Sequence, residues 1–237
     1  MGTGFDVAAE IGDGLRDREE AWAFIRRFLA AWTVALTDAD GCDEAELAEA
    51  EERLGLRLPT ALREGLALLG RRQDLQQQDP LRRPAQLVVV DGVLVFRTEN
   101  QGCAHWGVPE ADLGRDDPPV VVQTDRGEWR PFLDRTSSAF VELVLTETLL
   151  FDDDLRDAAE LPAALAPVLY ENFRRVGFPD HRSWCAGIEG PIRFFAGPGV
   201  LIRQDGGADL DWIHVAGQTP GHRRQVLKLF PVEWAFG

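Results

Sequence analysis

The sequence predicts an α+β fold, a central and mainly antiparallel twisted sheet with helices packed against it. Three observations carry that prediction. Apolar residues near the N-terminus recur at helical spacing, and from Leu87 the pattern changes to short β-branched and aromatic runs closed by turns. The strands then follow one another without the βαβ rhythm that a parallel sheet requires.

Residues 17 to 36 read as an amphipathic helix, with Trp22, Ile25, Phe28, Leu29 and Trp32 on one stripe. Two tryptophans on such a stripe belong more often to a core than to a ligand site. After the polar loop TDADGC a second helix begins at Asp43, with Glu46 three residues on in a capping-box arrangement and Leu47, Ala50 and Leu54 on its buried side. Gly55 and Pro59 interrupt the pattern. Pro59 suits the first turn of a third helix, TALREGLALLG, whose apolar positions are Leu62, Leu66 and Leu69 and whose stop is Gly70.

RRQDLQQQDPLRRP reads as a loop. LVVVDG and VLVFRT flank Asp91-Gly92, a two-residue hairpin signal, and further strands are predicted at 103–108, 119–124 and 128–133. SSAFVELVLTETLLF returns to helix, with Phe140, Leu143, Val144 and Leu150 at helical offsets. Residues 154–176 read as helical pieces broken by Pro162 and Pro167. IRFFAG and VLIRQD form a hairpin around Gly197-Pro198-Gly199, LDWIHVAG adds a strand, and residues 219–229 form a closing helix. The organisation expected is an N-terminal helical extension over 1–40 and an α+β domain over 41–237, with its core at 43–150 and a helix-hairpin extension at 151–237.

The chain of 237 residues holds 40 acidic and 25 basic side chains, a formal net charge of −15. Such a balance, with no long basic stripe, gives no footprint for nucleic acid and no polybasic segment for anionic lipid. No apolar run approaches the roughly 20 residues of a membrane helix. The start MGTGFDVAAEIGDG shows no basic and apolar leader, and Cys42, Cys103 and Cys185 are odd in number and far apart, so a cytoplasmic protein is expected. The densest acidic run, from Asp38 to Glu52, reads either as a solvated helix face with its preceding loop or as a partner surface.

Catalytic signatures are absent. Neither a nucleophile elbow nor a P-loop is present, since the only lysine, Lys228, lacks the preceding glycines. Asp38, Asp40 and Glu49 take positions 1, 3 and 12 of a calcium loop, but Asp43 stands where the sharp turn needs glycine. Cys103 with His105, and His181 with Cys185, lack zinc-finger spacing. Asp116-Asp117, Asp152-Asp153-Asp154 and Asp209/Asp211 are carboxylate pairs that nothing in the sequence ties to a pocket. No catalytic residue, metal or cofactor is expected.

Three segments together resemble the SUKH superfamily, which contains the Smi/Knr-type fungal cell-wall-synthesis regulators and many bacterial immunity proteins. AELAEAEERLGLRLPTALREGLALLG is similar to its opening helical pair, with Leu54, Gly55, Leu58 and Pro59 at the corner. ENQGCAHWGV, with Glu99, Asn100, Gln101, Gly102, Trp106 and Gly107, resembles its most specific signature. DDPPVVV, with Pro118 and Pro119, follows at matching spacing, then Trp129 and the helix around Phe140. The resemblance covers roughly 43–150, and more loosely the end of the chain around Trp234. It departs at Leu69-Gly70-Arg71-Arg72, where many relatives have asparagine-glycine.

The resemblance implies a non-catalytic protein-binding domain, an immunity protein that neutralises a toxin; regulation or scaffolding through another protein partner is the alternative. The acidic balance suits a basic toxin domain, for example a nuclease, whose substrate surface an acidic inhibitor would cover. Loop and strand-end positions make Glu99, Asp112, Asp116, Asp117, Asp125 and Glu128 candidate contacts, with Trp129 as aromatic anchor. Asn100, Gln101 and Gly102 suit a bend or bulge whose side chains bond nearby backbone, and Pro118-Pro119 starts a strand in extended form.

Overall fold

The computed structural model describes residues 5–150, 154–188, 190–206 and 211–236. It is α+β, with two antiparallel sheets and helices packed on them. The chain divides into two compact units, one formed by Arg16–Glu147 and the other by Met1–Leu15 with Thr148–Gly237. The helix at 18–32 therefore groups with residues 41–147, whereas the sequence reading sets 1–40 apart. Where one central sheet was expected, each unit has its own.

In the Arg16–Glu147 unit, α2 (Arg18–Trp32), α3 (Glu44–Leu54) and α4 (Thr60–Leu69) precede the sheet; α1 (Val7–Ile11) belongs to the other unit. Asp17 caps α2 by accepting from the Glu20 amide at 2.9 Å, and Asp43 with Glu46 forms the capping box expected for α3. Pro59 sits one residue before α4, as its N-cap, and not in the first turn. Gly70 follows the last residue of α4, and a side chain there would meet the Cys42 Sγ and the Leu66 carbonyl, each 2.6 Å from an added Cβ.

The sheet runs in the order β1 (Val88–Val90), β2 (Val93–Thr98), β3 (His105–Pro109), β4 (Val120–Gln123) and β5 (Trp129–Leu133), all antiparallel. Asp91 and Gly92 turn the first hairpin with φ of 50° and 76°, the left-handed pair that a two-residue turn demands. α5 (Thr136–Leu150) follows, and its side chains from Thr136 through Leu149 are all buried. Phe140 of α5 stacks on Phe96 at 5.8 Å, meets Trp22 edge-on at 5.6 Å, and lies where a Cβ on Gly65 would come within 2.5 Å of its ring. α2, α4, α5 and the sheet thus converge on one aromatic ring.

β2 carries a bulge. Val95 pairs with Gly107 but Arg97 pairs with Trp106, so Phe96 is the extra residue and both Phe96 and Arg97 lie on the buried face. Arg97 is 1% exposed, bonds Asp79 and Glu142 at 2.6 Å each, and holds its guanidinium carbon 4.2 Å from the Trp106 ring centroid. Burial alone would favour loss of its proton, but the two carboxylates outweigh that and raise its pKa. One turn along α5, Thr146 donates to Glu142 at 2.7 Å, and Glu147 accepts the amides of Gln77 and Asp79 at 2.8 Å each. Burial pushes the Glu147 carboxyl up, against those amides and Arg97.

In the other unit β6 (Arg156–Leu161), β11 (Asp211–Gly217), β10 (Val200–Asp205), β9 (Pro191–Gly197) and β7 (Arg174–Arg175) form the second sheet, with β8 (His181–Arg182) also on β9. The hairpin at Pro198-Gly199 and the strand within LDWIHVAG are as expected, though Leu210 lies outside the described residues, as do Asp152, Asp153 and Asp209. α6 (Ala166–Asn172) and α7 (Pro220–Leu229) cover a core of Ala159, Leu161, Phe195, Ile202, Ile213 and Val215, closed by Leu169, Val226 and Phe230.

Residues 156–161 are a strand and not the helix predicted there. RDAAEL has helix-favouring composition, yet Ala159 and Leu161 alternate toward that core, and the buried Asp157 takes Arg223 and the amides of Ala158 and Phe236. On the opposite face Arg203 grips Asp205 with two bonds, at 2.6 and 2.9 Å, while the His214 Nε2 lies 3.7 Å away. Burial would push the Asp205 carboxyl up; Arg203 and His214 outweigh it and hold the group well below the usual carboxylate range.

Arg97→Met leaves two buried carboxylates without their cation and lowers unfolding free energy in urea by about 3–5 kcal/mol. Arg97→Lys also destabilises, because a point charge cannot bridge both acids and stack on Trp106. Asp205 has a lowered pKa, so its stabilisation is complete above the unfolded value near 4 and is lost as pH falls further. Asp205→Asn should therefore lower stability at neutral pH and flatten the acid limb of a melting-temperature profile.

Candidate interaction surface

Strand register decides which of the candidate contacts share a neighbourhood. Thr98 pairs with His105, His105 with Gln123, and Gln123 with Trp129, so these four side chains form a row across β2 to β5 on the face opposite Arg97. All four are half-buried. Arg82 extends the row, its Nε donating to the Thr98 hydroxyl at 2.8 Å, with the His105 Nδ1 3.2 Å from the same oxygen. Burial and the nearby Arg82 charge both lower the His105 pKa, which favours the neutral ring. Beyond the row the face stays partly open at Val121 and Pro131, while Val93 and Val95 are buried. Gly107 is required here: a Cβ would lie 2.5 Å from both the Leu94 carbonyl and the Val93 Cγ1.

The loops at this end of the sheet frame the row. Glu99 to Gly102 form a turn closed by the Gly102 amide on the Glu99 carbonyl at 2.8 Å, so the bulge of β2 lies upstream at Phe96 and not in this segment. Asn100 ties the turn to residues 77 and 78, its amide donating to the Gln78 carbonyl at 2.7 Å and its Nδ2 to Gln78 Oε1 at 3.1 Å. Gln101 and Cys103 are exposed at its tip. Glu99 is buried, and its carboxylate accepts the amides of Gln101 at 2.8 Å and Cys103 at 3.1 Å. It shapes the turn. Asp125 and Glu128 sit exposed on the β4–β5 turn beside Trp129, where Arg130 bonds Glu128 at 2.5 Å.

Asp112, Asp116 and Asp117 lie at the other end of the same strands, since β3 leaves the sheet at Pro109 and β4 enters it at Val120. Their surroundings explain DDPP. Asp116 accepts the Thr60 hydroxyl at 2.7 Å and the Ala61 amide, through its carbonyl, at 2.8 Å. Asp117 takes the Ser137 amide at 2.9 Å and hydroxyl at 2.6 Å, and the Pro118 carbonyl takes the Thr136 hydroxyl at 2.9 Å. One short segment thereby caps both α4 and α5, and Pro119 leads directly into β4. Asp112 lies 3.3 Å from Arg115. The seven candidate contacts form two groups, and Glu128, Asp125 and Trp129 are those that border the open row.

The residues that sequence reasoning did not single out are Arg82, Thr98 and Gln123. Their signal was strand pairing, which follows only once the register is known. On α3 the acids divide: Glu44, Glu46 and Glu51 pair with Arg63, Arg71 and Arg57, while exposed Glu49 and Glu52 have no cationic partner among the described residues.

Glu99→Ala should raise hydrogen exchange at the Gln101 and Cys103 amides and destabilise by about 1.5–3 kcal/mol, the worth of hydrogen bonds to a charged acceptor. Unchanged exchange at both amides would show that Glu99 does not hold the turn.

No family model, curated protein or solved structure matches this chain.

Proposed function

We propose that this chain is a protein-binding domain of SUKH type, acting in the cytoplasm as an immunity protein that neutralises a basic toxin domain by covering its active-site surface. The observation that carries this reading is the half-open row ending at Trp129, bordered by Asp125 and Glu128, in a chain of net charge −15. A half-buried tryptophan on a sheet face is already largely immobilised, so docking against it costs little side-chain entropy. The net negative charge of the chain as a whole speeds long-range encounter with a basic partner and disfavours acidic ones. No catalytic group is required, because inhibition follows from excluding the toxin's own substrate.

An amphipathic N-terminal helix free to dock a partner would favour the regulatory alternative. Phe24, Ile25, Phe28 and Leu29 of that helix are fully buried, so its apolar stripe is already occupied and supports the alternative no further.

The decisive experiment is co-expression with a toxic basic domain encoded beside this chain. Protection of the cells and a 1:1 complex are expected. Trp129→Ala should weaken the complex by about 2 kcal/mol or more, roughly thirtyfold in Kd, with an unchanged far-UV spectrum. Cells that die despite soluble protein would overturn the reading.

A further inference from the structure

The unit built on the second sheet carries a groove of about 520 Å³ along the outer side of β6, lined among others by Glu160, Pro162, Trp212, Pro231, Glu233 and Trp234. Trp212 stands directly opposite Glu160 across the β6–β11 pair and leaves 42% of its surface exposed. Glu160 and Glu233 are both exposed, neither has a cationic partner among the described residues, and no basic side chain lines the groove. An indole face with unpaired carboxylates and no competing cation is the chemistry that holds a guanidinium.

β6 is also an edge strand. Its outer side is met by the C-terminal tail through one main-chain bond, from the Ala235 amide to the Ala158 carbonyl at 2.9 Å, next to the bond of the Phe236 amide to the Asp157 side chain. Alternate residues of a strand turn their amides to the same edge, so the main-chain N–H and C=O of Glu160 face the same way as those of Ala158. They have no partner among the described residues. Between Ala158, which the tail occupies, and Pro162, whose carbonyl takes the Leu165 amide, Glu160 is the residue whose main chain an extended peptide can pair with.

We propose that this groove docks an extended, arginine-bearing segment of a protein partner. The segment pairs with β6 at Glu160, one guanidinium stacks on Trp212 and meets the Glu160 carboxylate, and a second basic side chain meets Glu233. Charge complementarity selects this occupant, since an acidic segment would bring like charge to two carboxylates. The proposal concerns a different unit from the Trp129 row and does not rest on toxin neutralisation. Either can fail while the other stands.

The test is fluorescence anisotropy of a labelled nonapeptide of alternating arginine and threonine, titrated with the full chain at low salt. Saturable binding is expected, with a glutamate-for-arginine peptide inert. Trp212→Ala leaves net charge unchanged and should weaken binding roughly tenfold, the worth of a well-placed cation–π contact. Glu160→Gln with Glu233→Gln should weaken it comparably and reduce its salt dependence. Melting curves confirm that these surface variants remain folded, and the carboxamide pair keeps the test valid should Trp212→Ala prove unstable. Absence of saturable binding, or equal affinity for Trp212→Ala and the unaltered chain, overturns the proposal, the latter by showing diffuse attraction to an acidic surface.

Discussion

A single guanidinium buried under the first sheet organises the unit around it. Arg97 joins a loop residue 18 positions upstream and a helix residue 45 positions downstream, and it does so beneath a tryptophan from the adjacent strand. A charge so enclosed is tolerated only with both carboxylates in place. Its requirements therefore bind the 77–79 segment, β2, β3 and α5 into one geometry. Glu147, five residues beyond Glu142 on α5, pins the same segment through its amides. Apolar packing around Phe140 supplies bulk stabilisation, whereas the ionic centre dictates register, because a strand slipped by one residue would turn Arg97 away from its partners.

Much of the architecture was legible from local signals. The Asp43 capping box, the Asp91-Gly92 hairpin, the Pro198-Gly199 turn and α5 could be placed because each is specified by neighbours a few residues away. The misread segment, Arg156–Leu161, shows the limit of that reasoning. Its alanines, glutamate and leucine favour helix locally, and only pairing with β11, 50 or so residues later, imposes a strand. Arg97 escaped notice for a similar reason. At the end of VLVFRT it reads as an arginine leaving a strand, and its acid partners lie in a polar loop and in a helix whose burial on every side appears only in the fold.

The acidic residues illustrate how composition and position diverge. Total charge pointed to a basic partner, but individual carboxylates serve several ends. Glu99 shapes a turn, Asp116 and Asp117 cap two helices, and Glu142 with Glu147 is internal. Glu128, beside Trp129, is paired with Arg130, and the exposed acids without a cationic partner among the described residues are fewer and local: Glu49 and Glu52 on α3, and Glu160 with Glu233 beside Trp212. The candidate site was legible as a list of loop residues. Its division between the two ends of the strands was not, because the ends follow from pairing register.

The bulge at Phe96 also sets where β2 tolerates a change in its length. Because two consecutive side chains share the inner face there, a one-residue deletion at Phe96 would restore simple alternation without inverting Leu94, Val95 or Thr98. A deletion away from the bulge would instead turn over the residues lying between the two. The bulge is thus a point at which β2 can change length by one residue and keep its pairing on both sides, and the residue it accommodates adds the aromatic contact to Phe140 beside the ion cluster.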